Sequence, residues 1–527
     1  MKHLTAFALF LLATVALAGG PFGLAHGGQD SPPLTFQVDG SKKQPISPYV
    51  YGANHPRWDK DGWKTPLSRA GGNRLTAYNW ENNASNAGSD WQHQNDNLMA
   101  KEDTPGESMR RAVASSLEHG AAIVMTVPII GRVAADKNGG GDVNKTPDFL
   151  NKRFVLSLPK KDGPFADPPD PADGKVYQDE FVAWLEKKFP RDPGKPPVFY
   201  CMDNEPELWS HTHARIHPEP VRFEEIVRLN TEYAAAVKRV APKALVFGFV
   251  SYGWHGLTTL QNAPDRNNRD FSDYFLQEMA AAEKKAGKRL VDVFDFHFYP
   301  EARGGKHRIT DDDTGPETAA ARIQSVRSLW DPAYKENSWV AGAAGGAIRL
   351  LPRLKDKIDK HYPGTKLAMT EYYYGGGDHI SGGIAQADVL GVLGREGLFA
   401  AALWHLGSTQ DRFIHAAFAM YRNYDGKDGA FGDTGLGVAG GDPARASLYA
   451  SMDAQKRTVL VAINKTDAAL PLKIDLKDLP KAKTLAVYRL TAADAKPVAG
   501  PDVPVTDPAS LSIELPPLSV STLLLRP

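Results

Sequence analysis

Eight short apolar runs, separated by segments with helical spacing, constrain the fold of this chain more than any other feature. The runs lie at residues 49–52, 73–78, 121–127, 198–202, 245–250, 291–298, 367–370 and 399–406. Helical spacing is clear before the fourth run, at Phe181, Trp184 and Leu185;. Because two parallel strands need a long crossover between them, usually a helix, this alternation predicts an α/β fold, a (β/α)₈ TIM barrel with long insertions.

Two long segments interrupt this alternation. Residues 131–175 contain Asn-Gly-Gly-Gly and Pro-Pro-Asp-Pro runs that favour turns, and residues 314–346 form a second insertion;. We expect the first insertion to be mostly irregular and to overhang the face at which the barrel strands end.

The pattern of the sequence changes after residue 426. Alternating apolar and polar residues at 447–450, 458–464 and 519–525 are separated by turns rich in Pro, Asp and Lys. This alternation is typical of antiparallel strands, so we expect a β-sandwich domain at residues 426–527. An early strand at residues 34–45 is expected to join the sandwich, which leaves residues 46–425 for the barrel.

The first residues have the features of a secretory signal peptide. Lys2 and His3 precede an apolar run at 6–17, and Ala16-Leu17-Ala18 offers a cleavage site made of small residues;. We expect a signal peptide at 1–18, a flexible leader at 19–33 and a secreted protein, extracellular or periplasmic; an uncleaved anchor is the alternative. The chain has one cysteine, so no internal disulfide can form;.

The charge balance gives no sign of a charged partner. Lysine plus arginine and aspartate plus glutamate number 62 each, so the net charge attracts neither nucleic acid nor an acidic membrane surface;. We therefore expect no nucleic-acid or membrane partner. A neutral substrate suits this balance, and we expect a monomer.

Two glutamates follow predicted barrel strands directly. Glu205 follows the run at 198–202 within Asp203-Asn204-Glu205-Pro206, and Glu371 follows the run at 367–370. The ends of parallel barrel strands meet at one face. Retaining hydrolysis of a glycosidic bond requires a carboxylic acid that protonates the leaving oxygen and a carboxylate that attacks the anomeric carbon. The alternative is that either glutamate caps a helix or pairs with an arginine.

Longer motifs surround these glutamates. They are residues 75–91, residues 202–206 with Trp209 and Thr212-His213, residues 365–372 and residues 380–391. Together they resemble glycoside hydrolase family 44 over residues 34–527. The resemblance implies a barrel plus a β-sandwich and an endo-acting, retaining β-1,4-glucanase, often active on xyloglucan, whose partner is a β-1,4-linked glucan polysaccharide. It also implies that Glu205 is the acid/base and Glu371 the nucleophile.

Other polar residues are candidates for a supporting role. Asn204 can hydrogen-bond a sugar hydroxyl, and the equivalents of Arg74 and Tyr299 in related barrels orient the nucleophile. For Arg74, an ordinary buried ion pair is the alternative. His297 is a further supporting candidate, although it could be a core histidine bonded to the backbone.

Aromatic residues near predicted strand ends can supply flat platforms for sugar faces. We expect about half of the tryptophans at these positions to stack on substrate, whereas Trp184 lies on a helical apolar face. The candidates are Trp58, Trp63, Trp80, Trp91, Trp209, Trp254 and Trp404, with Tyr372 beside the second glutamate.

The histidines after Glu205 raise the question of a metal. His211 and His213 form a His-x-His pair, but it trails Asn-Glu-Pro by several residues, whereas metal-dependent barrels carry such a pair at an early strand end;. We expect no cofactor requirement for catalysis. The family resemblance and the acidic, Gly-rich loops leave a structural calcium ion open.

Three alternatives to glucan hydrolysis remain. They are hydrolysis of mannan or xylan by a barrel of the same clan, binding of carbohydrate without catalysis, and a metal-dependent hydrolase.

Overall fold

A computed structural model describes residues 33–59, 62–405 and 411–527. The predicted signal peptide and all but the last residue of the predicted leader lie outside these ranges. In chain order the strands are β1 (Leu34–Pro45), β2 (Gly52–Asn54), β3 (Leu67–Ala70), β4 (Ser85–Asn86), β5 (Asn95–Asp96), β6 (Ala122–Val127), β7 (Arg132–Ala134), β8 (Phe154–Leu158), β9 (Lys175–Tyr177), β10 (Val198–Met202), β11 (Val246–Ser251), β12 (Val293–Phe298), β13 (Arg303–Gly304), β14 (His307–Arg308), β15 (Lys366–Tyr372), β16 (Ala400–Leu403), β17 (Thr434–Gly440), β18 (Ala446–Met452), β19 (Thr458–Asn464), β20 (Leu470–Lys477), β21 (Thr484–Thr491), β22 (Asp494–Ala499), β23 (Val503–Pro504), β24 (Ser510–Leu515) and β25 (Ser519–Arg526).

The helices are α1 (Asn73–Thr76), α2 (Glu107–Glu118), α3 (Phe149–Lys152), α4 (Gln178–Lys188), α5 (Trp209–Thr212), α6 (Phe223–Val240), α7 (Trp254–Thr259), α8 (Phe271–Ala286), α9 (Pro316–Ser325), α10 (Trp339–Ala343), α11 (Leu350–His361), α12 (Ile380–Arg395) and α13 (Arg412–Arg422).

Eight parallel strands close into a barrel in the order β10-β11-β12-β15-β16-β2-β3-β6. Strands such as β6 and β10 are buried along their whole length, because helices cover the outside and side chains fill the inside;. The predicted TIM barrel is confirmed. All the strands end at one face, and this places Glu205 and Glu371 on the same side of the molecule.

The second barrel strand differs from the prediction. Residues 73–78 begin with α1, and the strand is β3, with the sequence Leu-Ser-Arg-Ala. Its Ser68 and Arg69 are buried polar side chains, so the strand lacks the apolar run that marks the others;. The first barrel strand also begins later than predicted, since residues 48–51 form a 3₁₀ turn before β2.

The first insertion is mostly irregular, as expected, because more than half of its residues lie outside helices and strands. It also contains strands of the three-stranded sheet β7-β8-β9, in which β8 pairs antiparallel with β7 and parallel with β9. This sheet was not predicted. The second insertion holds α9 and α10.

The C-terminal strands form the predicted β-rich domain. Their sheet runs in the order β22-β21-β25-β19-β18-β17-β1-β20-β24, and β1 pairs antiparallel with β17 and parallel with β20. A separate apolar core, including Val38, Leu460 and Ile474, lies within it. The boundaries given above, including residue 426, stay predictions.

Helix α12 joins the two parts. Nearly all of its residues are buried. Its Asp388 side chain accepts a hydrogen bond from Tyr449 Oη at 2.7 Å and forms an ion pair with Lys465 Nζ at 2.7 Å. These contacts fix the β-rich domain against the barrel beside β15. Among the residues described, none of the helices is both long enough and apolar enough to cross a membrane.

Candidate active site

Glu205 and Glu371 meet at the C-terminal face of the barrel. One carboxylate oxygen from each and one ring nitrogen of His297 lie within 4.8 Å of one another. Carboxyl groups of retaining glycosidases lie about 5–5.5 Å apart, whereas inverting pairs need about 6.5–9.5 Å. The short oxygen separation therefore matches a retaining pair.

A strained turn presents Glu205 to the cleft. Asp203 and Glu205 both have left-handed backbones, with φ of 68° and 45°, which is uncommon outside glycine;. The buried Asp203 carboxylate stabilises the turn by accepting hydrogen bonds from Thr76 Oγ1 and from the Ile129 N–H, both at 2.6 Å, and from the Asn204 N–H. The Glu205 N–H donates to the Val250 carbonyl at 3.0 Å.

The environment of Glu205 favours its protonated form. Burial raises the pKa of Glu205 to about 7, with a smaller opposing effect from Arg69 and a small further increase from Asp90. His297 Nδ1 lies 2.7 Å from Glu205 Oε1, and burial lowers the pKa of His297 to about 3. A neutral imidazole can keep this hydrogen bond in either protonation state of Glu205. The carboxyl can therefore give up and regain a proton near neutral pH.

Glu371 is surrounded by donors instead. Arg69 Nη1 donates to its Oε1 at 2.6 Å, and Tyr299 Oη donates to its Oε2 at 2.8 Å. Burial and the charge of Glu371 raise the pKa of Tyr299 well above its usual value, so the phenol keeps its proton and remains a donor. A cation and a hydroxyl that stabilise negative charge suit a nucleophile. The two carboxyls thus have opposite surroundings.

Arg69, and not Arg74, contacts Glu371. Arg74 donates to Asp96 Oδ1 at 2.5 Å, because it lies on α1 beyond the barrel strand, so the expected contact with Glu371 is wrong. Arg69 is only 1% exposed and also donates from Nη2 to Asn204 Oδ1 at 2.7 Å. Asn204, placed among the supporting residues, is thereby linked to Glu371 through one guanidinium.

Sequence reasoning missed Arg69 and Asn54. Asn54, at the end of β2, accepts from Arg69 Nη1 at 3.2 Å and donates to the Thr370 carbonyl at 2.8 Å. The available signal was a polar residue at the end of one short strand, Asn54, and one before the last residue of the next, Arg69. This signal is weak without the knowledge that these strands belong to the barrel.

Several candidate platforms are core residues. Trp80 packs against Phe181 and Trp184, and Trp209 and Tyr372 are fully buried. Tyr372 Oη accepts a hydrogen bond from Gln386, since β15 turns this side chain toward α12. These three residues cannot offer a ring face to a sugar, which corrects the prediction.

Two other tryptophans pack away from the cleft. Trp58 stacks on His119, which lies between the end of α2 and the start of β6, and this places Trp58 near the N-terminal end of that strand. Trp63 stacks on Phe418 of α13. Neither is placed as a platform at the catalytic face.

Three candidate tryptophans remain. Trp404 lies against Gly72, where a Cβ atom would come within 2.8 Å of its ring, and the neighbouring backbone N–H of Gly72 donates to Asn204. Trp91 is 57% exposed, whereas Trp254 is largely buried at the start of α7. Their stacking on substrate stays a prediction.

The histidines after Glu205 have other partners. His213 is buried, burial lowers its pKa to about 3, and its Nδ1 lies 3.1 Å from Thr212 Oγ1. His217 bonds to Glu225 at 3.0 Å. Within the described parts of the chain, neither joins a group of three potential metal ligands.

The comparisons with known proteins agree with this geometry. Residues 84–302 match the sequence model of glycoside hydrolase family 44. A xyloglucanase of this family from Paenibacillus polymyxa, solved with xyloglucan, is 40% identical; the match covers 94% of this chain and 99% of that one, with a TM-score of 0.89. The chain belongs to glycoside hydrolase family 44. The resemblance inferred from the motifs is confirmed.

Other family 44 relatives extend the comparison. The structure of an endoglucanase from Clostridium acetobutylium is 34% identical, with a TM-score of 0.90 over 94% of this chain and 99% of that one. Endoglucanase A of Paenibacillus lautus is 41% identical over 453 residues, which is 82% of this chain and 64% of the relative. This family 44 chain therefore spans less than two thirds of that relative's length.

Proposed function

We propose that this protein is a secreted, retaining endo-glycosidase that cleaves the backbone of β-1,4-glucans, including xyloglucan, by double displacement. The observation that carries the proposal is the pair Glu205 and Glu371, close together but in opposite electrostatic surroundings. The relatives named endoglucanase and xyloglucanase support this choice of substrate.

The first half-reaction forms a glycosyl-enzyme. A Glu371 carboxylate oxygen attacks the anomeric carbon while the bond from that carbon to the leaving oxygen breaks and Glu205 gives that oxygen its proton. Arg69 and Tyr299 hold the attacking carboxylate in place. In the second half-reaction water attacks the same carbon, Glu205 takes the water's proton, and the ester to Glu371 breaks.

Conservative substitutions test the two roles. We expect purified Glu205→Gln and Glu371→Gln to lose nearly all activity on soluble β-1,4-glucans. Glu336→Gln is a matched control, because Glu336 is also buried and accepts from Ser328 Oγ at 2.6 Å, away from the pair. A wild-type rate in Glu205→Gln or in Glu371→Gln would show that the substituted residue does not have its proposed catalytic role.

Substrate choice needs a panel of polysaccharides. We expect internal cleavage of carboxymethylcellulose and xyloglucan. The release of reducing ends and the lengths of the products measure it. Faster cleavage of mannan or xylan would favour the same-clan alternative. Binding without any release of reducing ends would indicate a carbohydrate-binding protein, and loss of activity with a chelator while the fold survives would favour a metal-dependent hydrolase.

Localisation and assembly form part of the same proposal. We infer export through the N-terminal signal peptide, because a polysaccharide cannot enter a cell intact, and we infer a monomer. Activity in the culture medium and the elution volume in size-exclusion chromatography test these two points.

We propose that a structural calcium ion binds beside Glu81 and Glu180; within the described residues these carboxylates are not among the groups whose ligand atoms lie within 4.8 Å of one another, so binding would have to draw them together. Glu81 is 8% exposed and accepts no hydrogen bond from any described residue. Burial and the charges of Asp173, Glu180 and Asp170 raise its pKa to about 8, against a lowering effect of Lys161. Glu180 Oε2 is buried without a partner, although Lys161 pairs with Oε1 at 2.6 Å. Carboxylate oxygens lacking donors suit Ca²⁺. We expect calcium to raise the Tm, a chelator to lower it, and Glu81→Gln to abolish both shifts; an unchanged Tm would refute the site.

A further inference from the structure

Glu207 lies two residues after the proton donor and points away from the cleft. Its side chain is 2% exposed, and its Oε1 accepts hydrogen bonds from Ser251 Oγ at 2.8 Å and from the Tyr252 N–H at 2.9 Å. Both donors lie at the end of β11, the next barrel strand. Together with the bond from the Glu205 N–H to the Val250 carbonyl, three hydrogen bonds join the two strand ends.

The ends of β10 and β11 need these hydrogen bonds because their backbones are strained. Val250 has a φ of 67°, which is rare for a β-branched residue, and Asp203 and Glu205 are also left-handed;. Conformations of this kind are costly for residues other than glycine and persist only where surrounding contacts hold them. The Glu207 carboxyl provides two of the contacts that hold this pair of turns together.

The fold reserves space for this carboxyl. A Cβ atom at position 256 would lie 1.8 Å from Glu207 Oε1, so Gly256 on α7 is the residue type that admits it. Burial raises the pKa of Glu207 to about 8, and the described residues provide no cation for it. The side chain is therefore a neutral hydrogen-bonding group near neutral pH.

We propose that Glu207 is a positioning residue for the proton donor: by tying the end of β11 to the Glu205 turn, it sets the direction in which Glu205 presents its proton. This inference rests on the proposed role of Glu205. Displacement of a catalytic group by about 1 Å can cost about 10²-fold in rate.

Matched substrates separate a positioning role from a general loss of stability. Phenyl β-cellotrioside needs a proton on its leaving oxygen, whereas 2,4-dinitrophenyl β-cellotrioside has the same sugar and a leaving group that needs none. For Glu207→Ala we expect kcat/KM to fall by about 10²-fold on the phenyl substrate and by less than about threefold on the dinitrophenyl substrate. Azide, a nucleophile that needs no base, should raise kcat on the dinitrophenyl substrate.

Three controls make the result decisive. Glu207→Gln keeps the acceptor oxygen and should behave as wild type, and Glu336→Ala removes a similar buried carboxyl elsewhere and should show no dependence on the leaving group. Where Glu207→Ala does not fold, Ser251→Ala can replace it, because this variant removes one of the two donors to Glu207. It should show the same dependence of kcat/KM on the leaving group, to a smaller degree.

The outcomes also separate the two proposals. Suppose that Glu205→Ala shows leaving-group dependence and azide rescue. In that case equal losses of kcat/KM on both substrates, or no loss, in a folded Glu207→Ala protein would overturn the positioning role of Glu207. Absence of both effects in Glu205→Ala would instead overturn the proton-donor assignment itself.

Discussion

Replacing Arg69 by lysine should damage catalysis while keeping the charge. The guanidinium donates through one nitrogen to Glu371 at 2.6 Å and through the other to Asn204 at 2.7 Å. A lysine ammonium is a single point and cannot reproduce this fork. Loss of one hydrogen bond to a charged group, about 1.5–3 kcal/mol, corresponds to a decrease of about 10- to 150-fold in rate if the bond is needed in the transition state.

The assay is steady-state kinetics on a soluble β-1,4-glucan, with thermal unfolding measured in parallel. We expect kcat to fall and KM to change little, because Arg69 is buried and therefore acts through Glu371 rather than by contact with the sugar. Arg74→Lys is the matched control, since that arginine pairs with Asp96. A folded Arg69→Lys protein with kcat within about twofold of wild type would refute the account of Glu371.

Three further predictions concern pH, the aromatic residues and the second arginine. Because rising pH removes the Glu205 proton through a pKa of about 7, kcat/KM should fall above pH 7, and a profile that stays flat to pH 9 would contradict this. Trp80→Ala should lower the free energy of unfolding by about 3–5 kcal/mol, whereas Trp91→Ala should change it by less than about 0.5 kcal/mol and weaken glucan binding in calorimetry. Arg74→Ala, which breaks only the pair with Asp96, should keep a kcat close to that of wild type. A loss of kcat as large as that of Arg69→Lys would show that Arg74, too, supports Glu371.

The barrel was predictable because its strands are buried on both faces. Such strands appear as short apolar runs, and the run at 198–202 ends directly at the polar turn that carries Glu205. The exception, β3, has two buried polar side chains: Ser68 hydrogen-bonds Ser116 of α2, and Arg69 has partners that only the closed barrel supplies. Arg69 could not be recognised from local pattern, because its partner Glu371 is 302 residues away in the chain.

The aromatic platforms were less predictable for a different reason. A tryptophan just beyond a strand can turn inward or outward, and its neighbours along the chain do not decide which. Trp80 is enclosed by Phe181 and Trp184 on α4, whereas Trp91, on the same long connection, is exposed. The difference depends on how that connection folds back onto the barrel.

Covalent trapping tests the central claim most directly. Incubation with 2,4-dinitrophenyl 2-deoxy-2-fluoro-β-cellobioside should leave a stable glycosyl-enzyme, because the fluorine slows the second half-reaction while the leaving group allows the first. Peptide mapping by mass spectrometry should find the sugar on Glu371. A label on any other residue would contradict the assignment of Glu371 as the nucleophile of a retaining reaction.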